Sequence, residues 1–104
     1  MYTWHKAINV ADIKENELRE VTAGDKQIGL LKRNNVVYAF PALCPHQSAR
    51  LCDGWLDARG HIVCPLHKYH FNPVNGYNSS GEGYKLKTYP VEIRGDEIFI
   101  GILS

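Results

Sequence analysis

The chain has 104 residues, 44% hydrophobic and 22% charged, the proportions of a single ordinary folded domain rather than a disordered or multidomain chain. Twelve Lys and Arg against eleven Asp and Glu leave a formal charge of +1, so the totals suggest neither a basic face for nucleic acid nor an acidic tail. No apolar run reaches the length of a membrane span, and the start MYTWHKAINV lacks the charged-then-apolar order of a secretion signal, so the expected location is the cytoplasm. In that reducing compartment three cysteines point to metal chemistry rather than to a disulfide framework.

In chain order, Asp12 to Glu20 reads as a turn leading into a strand. Short β-branched and aromatic runs then alternate with turn signals: Leu18 to Ala23, Gly24-Asp25, Gln27 to Arg33, Asn34-Asn35 and Val36 to Phe40. This spacing predicts consecutive antiparallel hairpins. A second set follows far downstream, with Lys85 to Ile93, a turn at Arg94-Gly95-Asp96, and Glu97 to Leu103, where Ile98, Ile100 and Ile102 alternate and should share one buried face. Between the sets, Pro41 to Gly83 is read as irregular. It holds all three cysteines, and long irregular segments in a small domain are usually functional. No repeat or linker divides the chain, so residues 1–104 are expected to form one domain.

Within the middle segment Cys44-Pro45-His46 is followed, after seventeen intervening residues, by Cys64-Pro65-Leu66-His67. Each loop offers one thiolate and one imidazole, and a proline after each cysteine stiffens the loop. With five His in the chain, two such pairs are a rare accident. The donor set of Cys44, His46, Cys64 and His67 suits a tetrahedral zinc ion, as in a structural interaction module, or an iron-sulfur cluster with both thiolates on one iron and both imidazoles on the other. Structural zinc sites usually separate Cys pairs from His pairs, whereas each pair here is mixed.

The C-x-H and C-x-x-H spacing, with CPHQSARLCDGWLD and CPLHKYHFNPVNGYNSSGEGYKLKTYPVEI around it, resembles the Rieske [2Fe-2S] signature of small ferredoxins over nearly the whole chain. The resemblance implies an all-β fold, a small antiparallel β-sandwich or barrel carrying a two-loop cluster-binding subdomain at about residues 41–83. It implies one Rieske [2Fe-2S] cluster, with Cys44 and Cys64 on the inner iron and His46 and His67 on the outer iron. It also implies one-electron transfer from a flavin-dependent reductase to a terminal oxygenase. The alternative is the small subunit of an assimilatory NADH-dependent nitrite reductase, bound to a large subunit. A catalyst on its own is not expected in either case.

Departures from the family pattern bear on tuning. High-potential members brace the loops with a disulfide, and Leu66 stands where the second loop's extra cysteine would be. They also place a serine and a tyrosine where this chain has Tyr69, too long to copy the serine, and Phe71, which has no hydroxyl. A potential low in the Rieske range is therefore expected. Lys68 replaces the glycine common after the second histidine, implying either an altered loop or a cation beside the electron exit.

Of the other candidates, Cys52 is read as a small buried hydrophobe, and His5, His61 and His70 as strand or surface histidines. Trp55, Tyr69 and Phe71 are read as core that also shields the cluster. Asn75-Gly76 is a turn, and Ser80 to Gly83 is a loop against the subdomain rather than a phosphate cradle. The carboxylates Glu15, Glu17, Asp53 and Asp57 are read as solvated, and Asn78-Ser79-Ser80 as a coincidental glycosylation match.

Overall fold

The computed structural model describes residues 1–45, 49–66, 68–79 and 85–103. The expected all-β architecture is borne out: the described chain forms nine strands in three antiparallel sheets of three strands each. One sheet joins β1 (Tyr2–Asn9), β9 (Glu97–Leu103) and β8 (Val91–Arg94) in that order. A second is the meander of β2 (Leu18–Ala23), β3 (Lys26–Arg33) and β4 (Val36–Pro41). The third, within the middle segment, is built from three two-residue strands, β5 (Trp55–Leu56), β6 (Ile62–Val63) and β7 (His70–Phe71).

The meander is the centre of the molecule because it is covered on both faces. Successive side chains in a strand point to opposite sides, so Ile28 and Leu30 of β3, with Ala39 of β4, join a first core with Val21, Ile98, Ile100 and Ile102. Leu31 and Phe40 face the other way, into a second core with Cys44, Leu51, Ile62, Cys64, Phe71 and Leu86. Four consecutive buried residues, Ile28 to Leu31, follow from this double cover. Gly29, paired with Phe40, leaves room for that ring: a Cβ there would stand 2.2 Å from it.

The turns follow their residues. Asn34 and Asn35 both take positive φ, at 54° and 63°, as the two-residue hairpin between β3 and β4 requires. The segment before β2 is a turn, as read, with a 3-10 turn at Val10–Asp12 and Asn16 at φ 63°. Glu15 and Glu17 are not merely solvated. The Glu15 carboxylate accepts the backbone N–H groups of Asn34 and Asn35, and Glu17 Oε1 accepts from Lys14 N at 2.8 Å.

Three strand expectations need correction. The segment Pro41 to Gly83 is not irregular throughout, since Pro41 ends β4 and the strands β5, β6 and β7, too short to show a period, lie within it. The stretch Lys85 to Ile93 is not one strand, since β8 begins at Val91 and the preceding residues make only single bridges, Lys85 to Tyr77 and Tyr89 to Ala39. That segment crosses from the small sheet to the sandwich, and Pro90 has no N–H for a continuing ladder. β1, in turn, adds a strand that was weighed only as a leader. It pairs along β9 from Tyr2↔Leu103 to Asn9↔Glu97, with an irregularity between Lys6 and Ile8.

Candidate metal centre

The two cysteine loops are closed by the same device. The first leaves β4 through Ala42, whose carbonyl accepts from Leu51 N at 2.9 Å, and Leu43 bridges Arg50. Inside that bridge Cys44 N donates to Ala49 O at 2.9 Å. The second loop joins β6 to β7, where Val63 pairs with His70, and Cys64 N donates to Tyr69 O at 2.9 Å. Each cysteine amide thus bonds the carbonyl five residues on, so the two loops present their cysteines in like manner. Lys68 N returns a bond to Cys64 O at 2.9 Å.

Both cysteines are buried, Cys44 at 4% and Cys64 at 0% exposure, in one apolar cluster with Leu51, Ile62, Phe71 and Leu86. No disulfide joins any of the three cysteines, all of which are described. His46, with Gln47 and Ser48, and His67 lie outside the described residues, as does the Ser80 to Gly83 loop. Among the described residues no group of three or more His, Cys, Asp and Glu stands together as a metal site. The loop surface is apolar and exposed at Leu43, Pro45 and Leu66.

Lys68 resolves the question its replacement of glycine raised. Its φ of 57° is the left-handed conformation that glycine adopts freely, so its backbone stays in the region glycine would use. Such a conformation costs a residue with a Cβ about 1–2 kcal/mol. The side chain is exposed, which puts a cation on the loop surface next to His67 in sequence.

Several further residues differ from their reading. Cys52, in a 3-10 turn at Leu51–Asp53, is half-buried at the edge of the second core rather than inside it. Burial, with the Glu20 charge, pushes its thiol up to about 11, which keeps it protonated and a poor ligand at neutral pH. Trp55 is 47% exposed and so is not core, Tyr69 is half-buried, and Phe71 is fully buried beside the cysteines. His5, His61 and His70 are placed on or beside strands, as read. Asp53 meets Arg50 at 3.4 Å on the surface.

Asp57 is the residue that sequence reasoning missed. Its side chain is only 14% exposed and gathers the β5–β6 turn, accepting from Arg59 N at 2.8 Å, His61 N at 3.0 Å and the Arg59 guanidinium at 2.9 Å. It also meets His70 Nδ1 at 2.7 Å, tying this turn to the strand that leaves the second cysteine loop. Burial works to raise its pKa, but the His70 contact and the His61 and Arg59 donors outweigh it and hold the carboxyl well below the usual carboxylate range. The D-x-R-G-H spacing of a turn-capping aspartate was the available signal.

Residues 3–90 match the Rieske [2Fe-2S] domain. The chain belongs to that family. Its cofactor is a Rieske-type [2Fe-2S] cluster, which decides between zinc and iron-sulfur. The Rieske chain is 35% identical over 100 residues to the ferredoxin component of the naphthalene 1,2-dioxygenase system of Pseudomonas putida, covering 95% of each chain. It superposes with a TM-score of 0.82 and 29% identity on a chain in the complex of reduced oxygenase and oxidized ferredoxin of carbazole 1,9a-dioxygenase, covering 93% of this chain and 91% of that one. A putative NADH-dependent nitrite reductase small subunit from Mycobacterium tuberculosis shares the fold at a TM-score of 0.87, with 18% identity over 100% of this chain and 98% of that one. The residues present fit the cluster: two cysteines, pinned by like amide bonds, share one buried apolar cluster that would keep water from metal-bound sulfur, whereas Cys52 stands at its edge.

Proposed function

We propose that this chain is a one-electron carrier that takes electrons from a flavin-dependent reductase and delivers them to a terminal oxygenase. In this reading residues 1–104 form one Rieske domain with its cluster-binding subdomain at about 41–83, working in the cytoplasm. Among the described residues no helix is long and apolar enough to cross a membrane. Cys44 and Cys64 would hold one iron and His46 and His67 the other. The cluster, when bound, supplies a reversible one-electron couple.

The chain's own residues do the rest. The second core, with Phe71, Leu51 and Leu86 fully buried around Cys44 and Cys64, excludes water from the thiolate side. The paired Cys N–H bonds fix both loops so that little reorganisation accompanies a change of charge. Exposed Leu43, Pro45, Leu66 and Lys68 give a small apolar contact with one cation, suited to an encounter that must also release.

The observation that carries this reading is the 95% mutual coverage with a dioxygenase ferredoxin component. The nitrite reductase reading rests on likeness of fold. Mixing the holoprotein with a ferredoxin-dependent flavin reductase, NADH and a terminal oxygenase tests the proposal. The carrier reading expects substrate-dependent oxygen consumption that requires this chain. Failure there, with stable co-purification on a large nitrite reductase subunit, would favour the subunit.

A further inference from the structure

Beyond the cluster, a cavity of about 260 Å³ opens between the β3–β4 turn and the β5–β6 turn. Its polar wall consists of Arg33, Asn34, Tyr38, Arg59, His61 and Asn72, with no carboxylate among the described residues that line it. Arg33 is held rather than loose. Its Nη1 donates to Asn16 Oδ1 at 2.9 Å, and its guanidinium lies over Gly60, where a Cβ would come within 2.2 Å of Nε. Gly60 at φ 81° makes that approach possible. The partner that fixes Arg33 is thus a neutral amide, and no carboxylate lies within 4.0 Å of it among the described residues.

The neighbouring charges are otherwise engaged. Asp57 is bonded to Arg59, His70 and the turn amides, and the Glu15 carboxylate is turned to the amides of Asn34 and Asn35. His61 bonds Ser79 Oγ through Nδ1 at 2.8 Å, and Asn72 uses its Oδ1 on Val74 N at 2.9 Å, which leaves its amide N–H groups as donors. Burial, and then the charge of Arg59, push His61 below its ordinary value, with Arg33 adding in the same sense. Asp57 and Glu15 balance the two guanidinium groups in formal charge, but both carboxylates are turned to backbone amides and other partners, so the described surface of the cavity presents N–H donors rather than acceptors.

We infer that this cavity is a binding site for a small oxyanion, a phosphate or carboxylate group held by the Arg33 fork with Arg59 and Asn72. It lies at the His61 end of β6, whereas Cys64 follows the other end, so its occupancy is separable from cluster loading.

The test is a side-chain and amide NMR titration of the oxidised holoprotein with inorganic phosphate, and separately with acetate, each exchanged for chloride at constant ionic strength. The site predicts saturable shifts at Arg33 Nε–H, Arg59 and the His61 ring. Arg33→Gln should raise the half-saturating phosphate concentration at least tenfold, Arg33→Lys less, and Arg50→Gln not at all. Saturation by phosphate alone assigns a free phosphate; saturation by acetate as well assigns a site that also takes a carboxylate. If Arg33→Gln disturbs the amide spectrum, Arg59→Gln carries the same comparison. Shifts that rise linearly with both anions, or equal half-saturation in unmodified protein and Arg33→Gln, would overturn the inference.

Discussion

Lys68 combines a conformational cost with a charge, and substitutions separate the two. Lys68→Gly removes both, Lys68→Gln removes only the charge, and Lys68→Glu reverses it. Relief of left-handed strain is worth about 1–2 kcal/mol, and the extra freedom of glycine in the unfolded chain returns about 0.5–1 kcal/mol. Lys68→Gly should therefore be more stable than Lys68→Gln by about 0.5–1 kcal/mol, a rise of roughly 4 °C for a domain of this size. The electrical effect follows from Coulomb's law. A unit charge about 8 Å from an opposite charge across a wet interface contributes about 0.5 kcal/mol. Lys68→Gln should then slow electron exchange with the physiological partner about twofold at low ionic strength, and Lys68→Glu about fivefold. Both differences should vanish near 0.5 M salt, where screening is short-ranged. Stopped-flow reduction at several ionic strengths reads the rates, and differential scanning calorimetry the stability. Equal rates for all three variants at low salt would place the docking surface elsewhere. A Lys68→Gly protein no more stable than Lys68→Gln would refute the strain argument.

Phe71 is buried against the cysteines without a hydroxyl, and no disulfide braces the loops, so voltammetry should give a potential low in the Rieske range, roughly 150 mV below zero. Phe71→Tyr should raise it if the new hydroxyl reaches a cluster sulfur, and a potential well above zero in the unmodified protein would contradict this account. Asp57→Asn should cost about 1–3 kcal/mol at pH 7 by chemical denaturation, because its N–H donors lose a charged acceptor. The folded pKa of Asp57 is depressed, so its contribution is full above the unfolded value near 4 and fades as pH falls toward the folded one. The gap between Asp57→Asn and unmodified protein should begin to close below about pH 4, and a gap that widens there would be wrong in sign. Gly76→Ala places a Cβ 1.8 Å from the Leu86 carbonyl oxygen at φ 78°, and should lower the melting temperature far more than Gly95→Ala, where nothing lies within 4 Å.

Much of this fold was legible because the outer strands follow simple rules. Ile98, Ile100 and Ile102 alternate toward a single core, and Asn34-Asn35 supplies the positive φ pair that a tight hairpin needs. Alternation fails where a sheet is covered twice, so the run Ile28 to Leu31 carries no sign of which core each residue enters. Two-residue strands such as Trp55–Leu56 have no period to detect, and exist because the loops around them are pinned. The cysteine positions were plain from spacing, since ligand chemistry needs particular atoms. The role of Asp57 was not, because it depends on four donors drawn from Arg59, His61 and His70 meeting one carboxylate. Cys52 was misjudged because hydrophobicity of type does not say whether a short turn sits inside a core or at its rim.

The central claim is a [2Fe-2S] cluster held by Cys44, Cys64, His46 and His67 that carries single electrons. Its most direct test is coulometric titration of the purified holoprotein, followed by its visible spectrum and read against iron and acid-labile sulfide content, with Cys52→Ser and the two histidine variants alongside. The account predicts two irons and two sulfides per chain, as the family's cluster requires. It also predicts uptake of a single electron, a spectrum unchanged in Cys52→Ser, and loss or alteration of the centre in both His46→Ala and His67→Ala. A colourless protein with one zinc per chain, or intact iron content and spectrum in both histidine variants, would contradict it.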